Sequence, residues 1–587
     1  MTREPASGAE AQLEVPFSGR VEAGTRKAKR GGAKTGRRSE PGNDRPAARK
    51  RRRRKGPAKR GQHADVAESM ASKQREISVS EFFAKNRHLL GFDNPAKALL
   101  TTVKEAVDNA LDACEEAGIL PEVLVRVEQL AEDRFRMIVE DNGPGIVHAQ
   151  VPKIFGKLLY GSKFHTLKQS RGQQGIGISA AGMYGLLTTG KPVEIISRAG
   201  PRRAANHFHV VINTKKNLPQ TLVDAEVEWE KPHGTQVAIT LQGTYKKGRH
   251  SIDGYLKQVV VANPHATIIY EPPNGDKAGE RIVYERTTDQ APREPREIRP
   301  HPHGVELGVF LKMLQGTSAR TVRSFLQEEF SRVGNKVVQN LLQETESAGL
   351  RLTPRTPPRR ISAEDAEVLH SALGRIKIMA PSTDCLSPIG EDLLVKALEK
   401  RVTADFYTAA TRPPAVYRGN PFQIEVGLAY GGGMPGDTLI ELYRYANRVP
   451  LQYQRGACAM TKATVELPWR NYKISQSRGA LPAAPMVLAI NIASVWVPFT
   501  SESKEAVAHY PEILHEIRLA LQECGRRLAV HISRRRREAD EEKKHSYIQK
   551  YIPHIGIALQ EILGLSDRQR ERTVDTLTDV LERSRKM

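Results

Sequence analysis

The chain has 587 residues, 39% hydrophobic and 27% charged, with no apolar run of the roughly 18 residues that a membrane span needs and no N-terminal apolar stretch typical of a secretory signal. This composition predicts a cytoplasmic protein without a membrane partner, and about 150 residues per domain predicts three or four domains. The four cysteines form no CxxC pair, which argues against a zinc site or disulfide framework, while the net charge of +23 favours a nucleic-acid partner.

Residues 1–72 are rich in Gly, Ala, Pro, Lys and Arg, which predicts a disordered basic tail. The first 60 residues hold 19 Lys and Arg against 6 Asp and Glu, a net charge of +13, so the other 527 residues carry +10. A segment of this charge attaches to phosphate polymers without reading their sequence. The tail is therefore a candidate for tethering DNA, and a solubilising role is the alternative.

A globular pattern begins near Ile77 and defines the first predicted domain, residues 73–300. Its predicted helices cover 80–85 and 95–118. Its predicted strands cover 122–127, 135–140, 193–197, 208–212 and 236–241. Because neighbouring strands look hairpin-like, we expect an α+β sandwich rather than a parallel βαβ sheet.

The second predicted helix carries polar side chains on one face. Glu105, Asn109 and Asp112 stand at positions i, i+4 and i+7, so they point the same way. The amide oxygen of Asn109 can ligate Mg²⁺ without adding negative charge near phosphates, and the carboxylate of Glu105 can hold and deprotonate a water. The face predicts a metal–nucleotide site, with an ordinary polar helix surface as the alternative.

An Asp-Asn-Gly-Pro-Gly turn directly follows the strand predicted at 135–140. Asp141 ends that strand, where its carboxylate can accept a hydrogen bond from an exocyclic amine such as that of adenine. Gly143 and Gly145 let the chain turn tightly and bring backbone near a ligand. A tight turn with no ligand would satisfy the same residues.

A glycine-rich segment precedes the next apolar helical stretch, and exposed N–H groups in such a loop and at a helix N-terminus cradle phosphates. Its likeness to GxGxxG is superficial, and it lacks the GxxxxGK[ST] of P-loop NTPases, which excludes that class. The candidate phosphate-binding residues are Gly172, Gln173, Gln174, Gly175, Ile176, Gly177, Ile178 and Ser179. A fourth element, a turn at Gly234 and Thr235 entering a strand, is uninformative alone.

The rest of the chain is predicted as three further parts. Residues 287–303 are a polar linker, and 301–377 form a small helical module with helices at 305–314, 318–328, 334–344 and 363–373. Residues 378–540 return to α+β structure, with a helix at 392–401 and strands at 422–430 and 486–497. Residues 541–587 form a C-terminal helical segment.

One long amphipathic helix is predicted from Pro511. Its apolar positions recur at steps of three or four residues on one face: Leu514, Ile517, Leu521, Cys524, Leu528 and Ile532. The four arginines at 534–537 continue the helix and could face DNA or form a solvated end. Pro553 and Gly556 are predicted to interrupt it, with a second amphipathic piece at 557–563.

The four elements, in this order, resemble the GHKL ATPases: gyrase-type topoisomerases, heat-shock chaperones, histidine kinases and mismatch-repair ATPases. The resemblance implies the Bergerat α/β sandwich, with ATP and Mg²⁺ as cofactors. It assigns Glu105 as general base, Asn109 as Mg²⁺ ligand, Asp141 to the adenine amine, and residues 172–179 to the phosphates. Gly145 and Thr235 complete the expected nucleotide-binding residues.

Longer segments narrow the resemblance. RGQQGIGISAAGMYG, APSTDCLSPIGEDLL, PAVYRGNPFQIEVGLAYGG, YANRVPLQYQRGACAMT and PFTSESKEAVA are similar to the B subunit of DNA topoisomerase VI, a type IIB topoisomerase. The similarity covers roughly residues 74–550. It implies a Bergerat domain, a helix-two-turn-helix module and a transducer domain ending in a long helix.

Within this resemblance, Lys504 matches the transducer's switch lysine, a cation that reaches the γ-phosphate only when two domains close. Ser162 and Lys163 match lid residues near the nucleotide. The resemblance also implies that ATP dimerises two B subunits around double-stranded DNA. The long helix would relay closure to the A subunit in a heterotetramer of two A and two B subunits.

The cleaving tyrosine and the metal-binding Toprim domain are expected in the A subunit, because this chain has no DxD carboxylate pair for such a metal. The segment after residue 541 would dock the A subunit through Tyr547, Ile548, Tyr551, Ile552, Ile555 and Leu559. A helix folding back on its own domain is the alternative there. For the whole chain, the alternative is a GHKL-type clamp or chaperone without topoisomerase activity.

Overall fold

The computed structural model describes residues 69–585 except 75, 164–165, 173–174, 249 and 274–280. Nearly all of the predicted tail at 1–72, together with Gln173 and Gln174, therefore lies outside the described residues. Residues from Glu76 to Met587 form one compact unit. Among the described residues, no helix combines the length and apolar content that crossing a membrane requires.

An eight-stranded mixed sheet forms the first half of the unit. Its strands are β1 (Glu122–Ala131), β2 (Arg134–Glu140), β3 (Val193–Arg198), β4 (Ala205–Asn213), β5 (Leu218–Val227), β6 (Gly234–Gln242), β7 (Thr267–Glu271) and β8 (Ile282–Tyr284). Their order is β5-β4-β3-β6-β2-β1-β7-β8. Of these described strands, β1 and β7 pair in parallel, and the other neighbours in this sheet are antiparallel.

Helices cover one face of this sheet. They are α1 (Val79–Lys85), α2 (Pro95–Glu116), α3 (Val151–Gly156), α4 (Gly177–Thr189) and α5 (Ile252–Ala262). The start of α2 is fixed by Asn94, whose side chain accepts from the backbone of Lys97, and by a proline at the first position. Its apolar face packs with inward side chains of the strands in one buried cluster. The expected α+β sandwich is confirmed.

The five predicted strands all occur, but three others were not predicted. Strand β5 is exposed or half-exposed along its whole length, so it lacks the alternating apolar pattern that marks a half-buried strand. Strands β7 and β8 are short. The polar stretch at 287–303 contains no helix or strand before Pro302, yet it is tied down by Arg296 N–H donating to Asp384 at 2.9 Å and Ile298 N–H donating to Leu167 at 3.1 Å.

Four helices follow around a separate small core. They are α6 (Leu307–Gly316), α7 (Val322–Glu329), α8 (Asn335–Ser347) and α9 (Ala363–Arg375). Thr321 and Ser324 form a reciprocal capping box at the start of α7. Phe310, Phe325 and Phe330 are fully buried at the centre of this cluster.

A second sheet builds the next part, with order β10-β11-β16-β12-β13 and β9 paired to β11. Its strands are β9 (Phe406–Thr411), β10 (Ala415–Tyr417), β11 (Asn420–Tyr430), β12 (Glu441–Ala446), β13 (Val449–Pro450) and β16 (Met486–Ser494). A small separate ribbon pairs β14 (Ser475–Gln476) with β15 (Pro482–Ala483). The helices here are α10 (Glu391–Arg401), α11 (Ala459–Glu466), α12 (Pro511–Leu563) and α13 (Asp567–Arg585).

Helix α12 packs on this second sheet. The six apolar positions predicted to share one face are all buried, and they join the cluster that contains Ile424, Leu488 and Ile490 of the sheet. The arginines at 534–537 are exposed beyond that packed part. The periodicity of the sequence therefore identified both the helix and its buried face.

The interruption predicted at Pro553 and Gly556 is wrong. Helix α12 continues through Pro553 to Leu563, because an interior proline removes one backbone hydrogen bond and kinks a helix without always ending it. Gly556 instead lies where α12 packs closely against α13, since a Cβ atom there would lie 2.4 Å from Cγ2 of Val574 on α13. Ile552, one turn earlier, is also buried and so is not available for docking.

Candidate functional site

A cavity of about 630 Å³ lies between α2, α4, the first sheet and a loop that follows β16. Its volume suits a nucleotide-sized ligand. The predicted site residues that line it are Glu105, Asn109, Asp141, Gly145, Ser162, Lys163, Gly172, Gly175, Ile176, Gly177, Ile178, Thr235 and Lys504. Ser179 is buried beneath the surface, where its hydroxyl donates to the carbonyl of Ile176 at 3.2 Å.

Asp141 lines the cavity, and one of its carboxylate oxygens already accepts hydrogen bonds from the protein. Its Oδ1 accepts from the backbone N–H of Gly143 at 2.8 Å and of Thr235 at 3.1 Å. Its Oδ2 accepts from no described residue, so it remains for a ligand donor. Burial raises the pKa of Asp141 to about 6, although the two backbone N–H groups act in the opposite direction. The carboxylate is therefore ionised at neutral pH.

Two residues that the sequence did not predict hold this turn in place. Ser197 on β3 is buried, and its Oγ accepts from the N–H of Ile146 at 2.8 Å and contacts Oγ1 of Thr235 at 3.1 Å. His233 places Nδ1 2.8 Å from the carbonyl of Gly143. A lone serine or histidine carries no sequence signal that separates such a role from ordinary packing.

Glu105 reaches the cavity from α2, where it meets the first residue of α4. A Cβ atom on Gly177 would lie 1.8 Å from Oε2 of Glu105, so this position must be glycine for the carboxylate to keep its place. No side chain caps α4, which leaves the N–H groups of its first turn for an anion. The geometry places a carboxylate beside a ready anion site.

Lys504 enters the cavity from the loop after β16. Phe499 and Val507 form an isolated β-bridge, and the N–H of Lys504 donates to Ser501 at 3.1 Å, so the loop is a closed turn. Lys504 has a φ of +52°, a conformation that non-glycine residues rarely adopt. Burial lowers the pKa of Lys504, and the charge of Glu105 opposes that effect. The charge of Glu105 on α2 thus acts on a lysine of the loop that follows the second sheet.

Asp112, the third polar residue on the α2 face, anchors neighbouring segments. Its carboxylate lies 2.6 Å from Nζ of Lys163 and 2.8 Å from Nη1 of Arg171. Glu116 lies 3.2 Å from the same lysine nitrogen. Lys163 thus borders the cavity while paired to α2.

Glu115 is the centre of a buried ion cluster below the cavity. It pairs with Arg171 at 2.6 Å, with Nε2 of His265 at 2.7 Å and with Arg448 at 3.4 Å. Burial would raise the pKa of Glu115, but Arg171, His265 and Arg448 together hold it well below its usual range.

The same cluster joins the glycine-rich segment to the second sheet. Arg448 donates to the carbonyl of Ser387 at 2.8 Å, and Asn447 donates to the carbonyl of Ser170 at 2.9 Å. Gln169 exchanges two hydrogen bonds with Ser387, of 3.0 and 2.7 Å. The backbone just before Gly172 is therefore fixed to residues from the second half of the unit.

Among the described residues, one group of His and carboxylate side chains comes close enough to suggest a metal. It comprises Glu194, His207 and His209, whose ligand atoms lie within 4.8 Å of one another. The guanidinium of Arg136 lies 2.6 Å from Glu194 and already neutralises that carboxylate, which opposes binding of a dication. We interpret this group as a salt-bridged sheet surface.

Two protein families match this chain, one in each of the two parts that line the cavity. Residues 94–244 match the family described as histidine kinase-, DNA gyrase B-, and HSP90-like ATPase. Residues 381–544 match the family described as topoisomerase VI B subunit, transducer. The ATPase region of Saccharomyces cerevisiae topoisomerase II is 11% identical with a TM-score of 0.37, over 79% of this chain and 99% of that one.

Full-length relatives are much closer in sequence. The B subunit of type 2 DNA topoisomerase 6 from Methanosarcina mazei is 48% identical over 499 residues, which cover 85% of this chain and 79% of that protein. Its counterpart from Archaeoglobus fulgidus is 48% identical over 506 residues, with 86% and 82% covered.

The first sheet, its cavity and the family match define an ATP-binding protein of the gyrase B and HSP90-like class. The second sheet and the full-length relatives narrow this class further. The chain belongs to the topoisomerase VI B-subunit family. Its activity is accordingly that of the ATP-driven subunit of a type IIB DNA topoisomerase.

Replacing Glu115 by Gln should destabilise the protein, because Arg171 and Arg448 would stay buried without a carboxylate. Removing one partner of a buried ion pair costs about 3–5 kcal/mol. Urea unfolding at pH 7 measures the change. The matched control is Glu116→Gln on the same helix, where the side chain is 45% exposed and a change within about 1 kcal/mol is expected.

The loss of stability in Glu115→Gln should depend on pH. Because the folded-state pKa of Glu115 lies below its ordinary value of 4.5, its contribution is complete above that value and is lost as the pH falls through the folded pKa. The stability gap between the parent protein and Glu115→Gln should therefore narrow in acid. A gap that is independent of pH, or equal losses for both variants at pH 7, would contradict the assignment.

Proposed function

We propose that the cavity binds Mg²⁺–ATP and hydrolyses it with residues from both halves of the unit. The observation that carries the proposal is that one cavity is lined by Glu105 and Asn109 of α2, by Asp141 of the first sheet, and by Lys504 from the loop after β16. A carboxylate, an amide, a buried acceptor and a cation are the groups that hydrolysis of a bound nucleotide requires.

Adenine recognition is assigned to Asp141. Its Oδ2 is the acceptor left over once Oδ1 has bound the N–H groups of Gly143 and Thr235. The exocyclic amine of adenine can donate a hydrogen bond to this oxygen, whereas the carbonyl oxygen of another base would be repelled by it. Gly145 and Thr235 line the same end of the cavity and would pack beside the base.

The phosphates are assigned to the glycine-rich segment and to the first turn of α4. Gly172, Gly175 and Gly177 would present backbone N–H groups, and Ile176, Ile178 and Ser179 would contribute through the same backbone. Gln173 and Gln174 remain predicted contacts outside the described residues. Ser162 and Lys163 border the cavity nearby and would close over the phosphates.

Asn109 is the proposed ligand for Mg²⁺. Its amide is exposed to the cavity and makes no hydrogen bond with any described residue, and oxygen donors are what Mg²⁺ prefers. The ion, when bound, would supply positive charge to the phosphate oxygens. A neutral amide holds that ion without adding a negative charge beside the phosphates.

Glu105 would act as the general base. It takes a proton from a water molecule as the water oxygen bonds to the γ-phosphorus, and the bond from that phosphorus to the bridging oxygen breaks to release ADP. Lys504 would stabilise the negative charge of the transferring phosphoryl group. Because Lys504 lies in the loop after β16, in the second half of the unit, ATP would link the two halves and hydrolysis would weaken that link.

The assembly proposal extends this coupling to DNA. Two copies of the chain would dimerise on ATP binding and capture duplex DNA, and the A subunit would cleave it within a heterotetramer. The proposed parts are the ATPase domain 73–300, the helix-two-turn-helix module 301–377, the transducer domain 378–540 and the docking segment 541–587. Relaxation or decatenation near the cytoplasmic nucleoid would be the result.

Exposed side chains on α12 support the docking and DNA proposals. Tyr547 and Tyr551 are 63% and 47% exposed, and Ile548 and Ile555 accompany them in an apolar strip suited to a partner subunit. The exposed arginines at 534–537 and the basic tail at 1–72 are candidates for phosphate contacts. The apolar strip and the arginines at 534–537 do not line the ATP cavity.

Asp141→Asn should weaken ATP binding about tenfold to hundredfold, because an amide N–H₂ would replace the acceptor for the adenine amine and a bond to a charged group is worth about 1.5–3 kcal/mol. Protonation near pH 6 should weaken binding to the parent protein in acid, since affinity rises with pH as the carboxylate ionises. Calorimetric affinities for both proteins between pH 5 and 8 give a ratio from which titration of the nucleotide phosphates cancels. A ratio near one, or one independent of pH, would refute the adenine assignment.

Glu105→Gln should reduce ATP hydrolysis at least about 100-fold while ATP affinity stays within about threefold, because the amide keeps its shape but cannot accept the proton of water. Phosphate release by the variant with its A partner measures the rate. The control is Glu132→Gln, an exposed glutamate in the β1–β2 turn, which should match the parent. Hydrolysis by Glu105→Gln at the parental rate would rule out this base.

Relaxation of supercoiled plasmid tests the division of labour between the two kinds of subunit. It should require this chain, the A subunit, Mg²⁺ and ATP together, and the Glu105→Gln protein should not sustain repeated cycles. Relaxation by this chain without the A subunit would show that the assignment of cleavage to the partner is wrong.

A further inference from the structure

A buried ion pair fastens the Lys504 loop to the helix that carries Glu105. Nζ of Lys97 lies 2.6 Å from Oε1 of Glu505, and the two side chains are only 12% and 7% exposed. The same nitrogen lies 2.8 Å from Oδ1 of Asp93 and 5.2 Å from the centre of the Tyr453 ring. Lys97 is therefore held on three sides, with Glu505 as its buried partner.

The two residues of this ion pair are close in sequence or on the same helix as two residues that line the cavity, Lys504 and Glu105. Glu505 directly follows Lys504, and Lys97 lies near the N-terminus of α2, the rigid helix that presents Glu105. The loop has no helix or strand of its own beyond the bridge between Phe499 and Val507. The ion pair consequently ties the loop to the ATPase half right beside the lysine.

The conformation of Lys504 explains why an anchor is needed there. Its φ of +52° costs free energy, and a strained residue persists only when its neighbours over-determine it. Burial would lower the pKa of Lys97, but its hydrogen bonds to Asp93 and Glu505 outweigh burial and raise it. Lys97 therefore stays charged at neutral pH and keeps attracting Glu505.

We propose that Lys97 and Glu505 are positioning residues, which act on ATP hydrolysis by holding Lys504 in the cavity. The proposal rests on the function assigned above to Lys504. It predicts that weakening the pair slows the chemical step while the adenine and phosphate contacts of the first sheet still bind nucleotide. A purely structural pair would instead change stability without acting through Lys504.

The test compares Glu505→Gln, Lys504→Met and the double variant in the full chain with its A partner. Glu505→Gln should lower kcat at least about fivefold, while affinity for a non-hydrolysable ATP analogue stays within about twofold. The double variant should be no slower than Lys504→Met alone, because an anchor has no effect once the side chain it positions is gone. The control is Glu132→Gln, an exposed glutamate in the β1–β2 turn, which should hydrolyse ATP near the parental rate.

Lys97→Met removes the cation of the ion pair and keeps an aliphatic side chain beside the ring of Tyr453. It should give the same non-additive result with Lys504→Met, and thermal melts of each variant identify any that fail to fold. If Lys504→Met is slow but Glu505→Gln and Lys97→Met are not, or if their losses multiply with that of Lys504→Met, the positioning proposal is overturned. If Lys504→Met itself keeps the parental rate, the function assigned to Lys504 fails instead.

Discussion

One largely buried carboxylate, that of Glu115 with 17% of its side chain exposed, links the nucleotide-binding half of the unit to the second sheet. It is shared by Arg171, which precedes the glycine-rich segment, and by Arg448, which follows β12. None of these three charges would be tolerable in the interior alone, because an unpaired buried ion costs several kcal/mol. Arg448 of the second half is therefore buried against a carboxylate that the first half supplies.

From this cluster, contiguous polar contacts run into the second sheet. The backbone N–H of Arg448 donates to Asn491 at 3.2 Å, and Asn491 donates to the fully buried Glu425 at 2.8 Å. Glu425 also accepts from the N–H groups of Ile389 and Gly390, where α10 begins. Helix α12 packs on this same sheet, so these contacts and the packing of α12 form one continuous set between the glycine-rich segment and the long helix.

The two halves of the unit also meet at the cavity, which residues of both halves line. Glu105 lies on α2 and Lys504 lies in the loop after β16, and that loop is joined to α2 by the ion pair of Lys97 and Glu505. A ligand that draws Lys504 inward would therefore pull on the loop and on the second sheet. In the proposed function, ATP would respond to closure of the two halves because its γ-phosphate would lie between them.

Local sequence patterns predicted what depends on local chemistry. The apolar face of α12 and the strands with clear alternation follow from periodicity, and the Glu105–Asn109 face and the turn at Asp141 follow from motif chemistry. The continuous helix through Pro553 could not be predicted, because the packing of α13 against Gly556 is a tertiary contact. Strand β5 lacks a buried face to give it a pattern.

Contacts between residues far apart in the sequence could not be predicted either, because they too depend on tertiary packing. Lys504 lies in a segment typical of a solvated turn, and only the family resemblance connected it to the ATP site. Glu115 and Arg448 gave no signal, because their pairing depends on how two sheets pack rather than on spacing along the chain. The interactions that couple the halves are thus the ones that sequence patterns reveal least.

A crystal structure of the chain with Mg²⁺ and a non-hydrolysable ATP analogue tests the central claim most directly. The account predicts Nζ of Lys504 within hydrogen-bonding distance, about 2.7–3.2 Å, of a γ-phosphate oxygen, with Glu105 facing the water side of that phosphate. A nucleotide bound in the cavity with Lys504 turned to solvent, or with its γ-phosphate away from Glu105, would contradict the account.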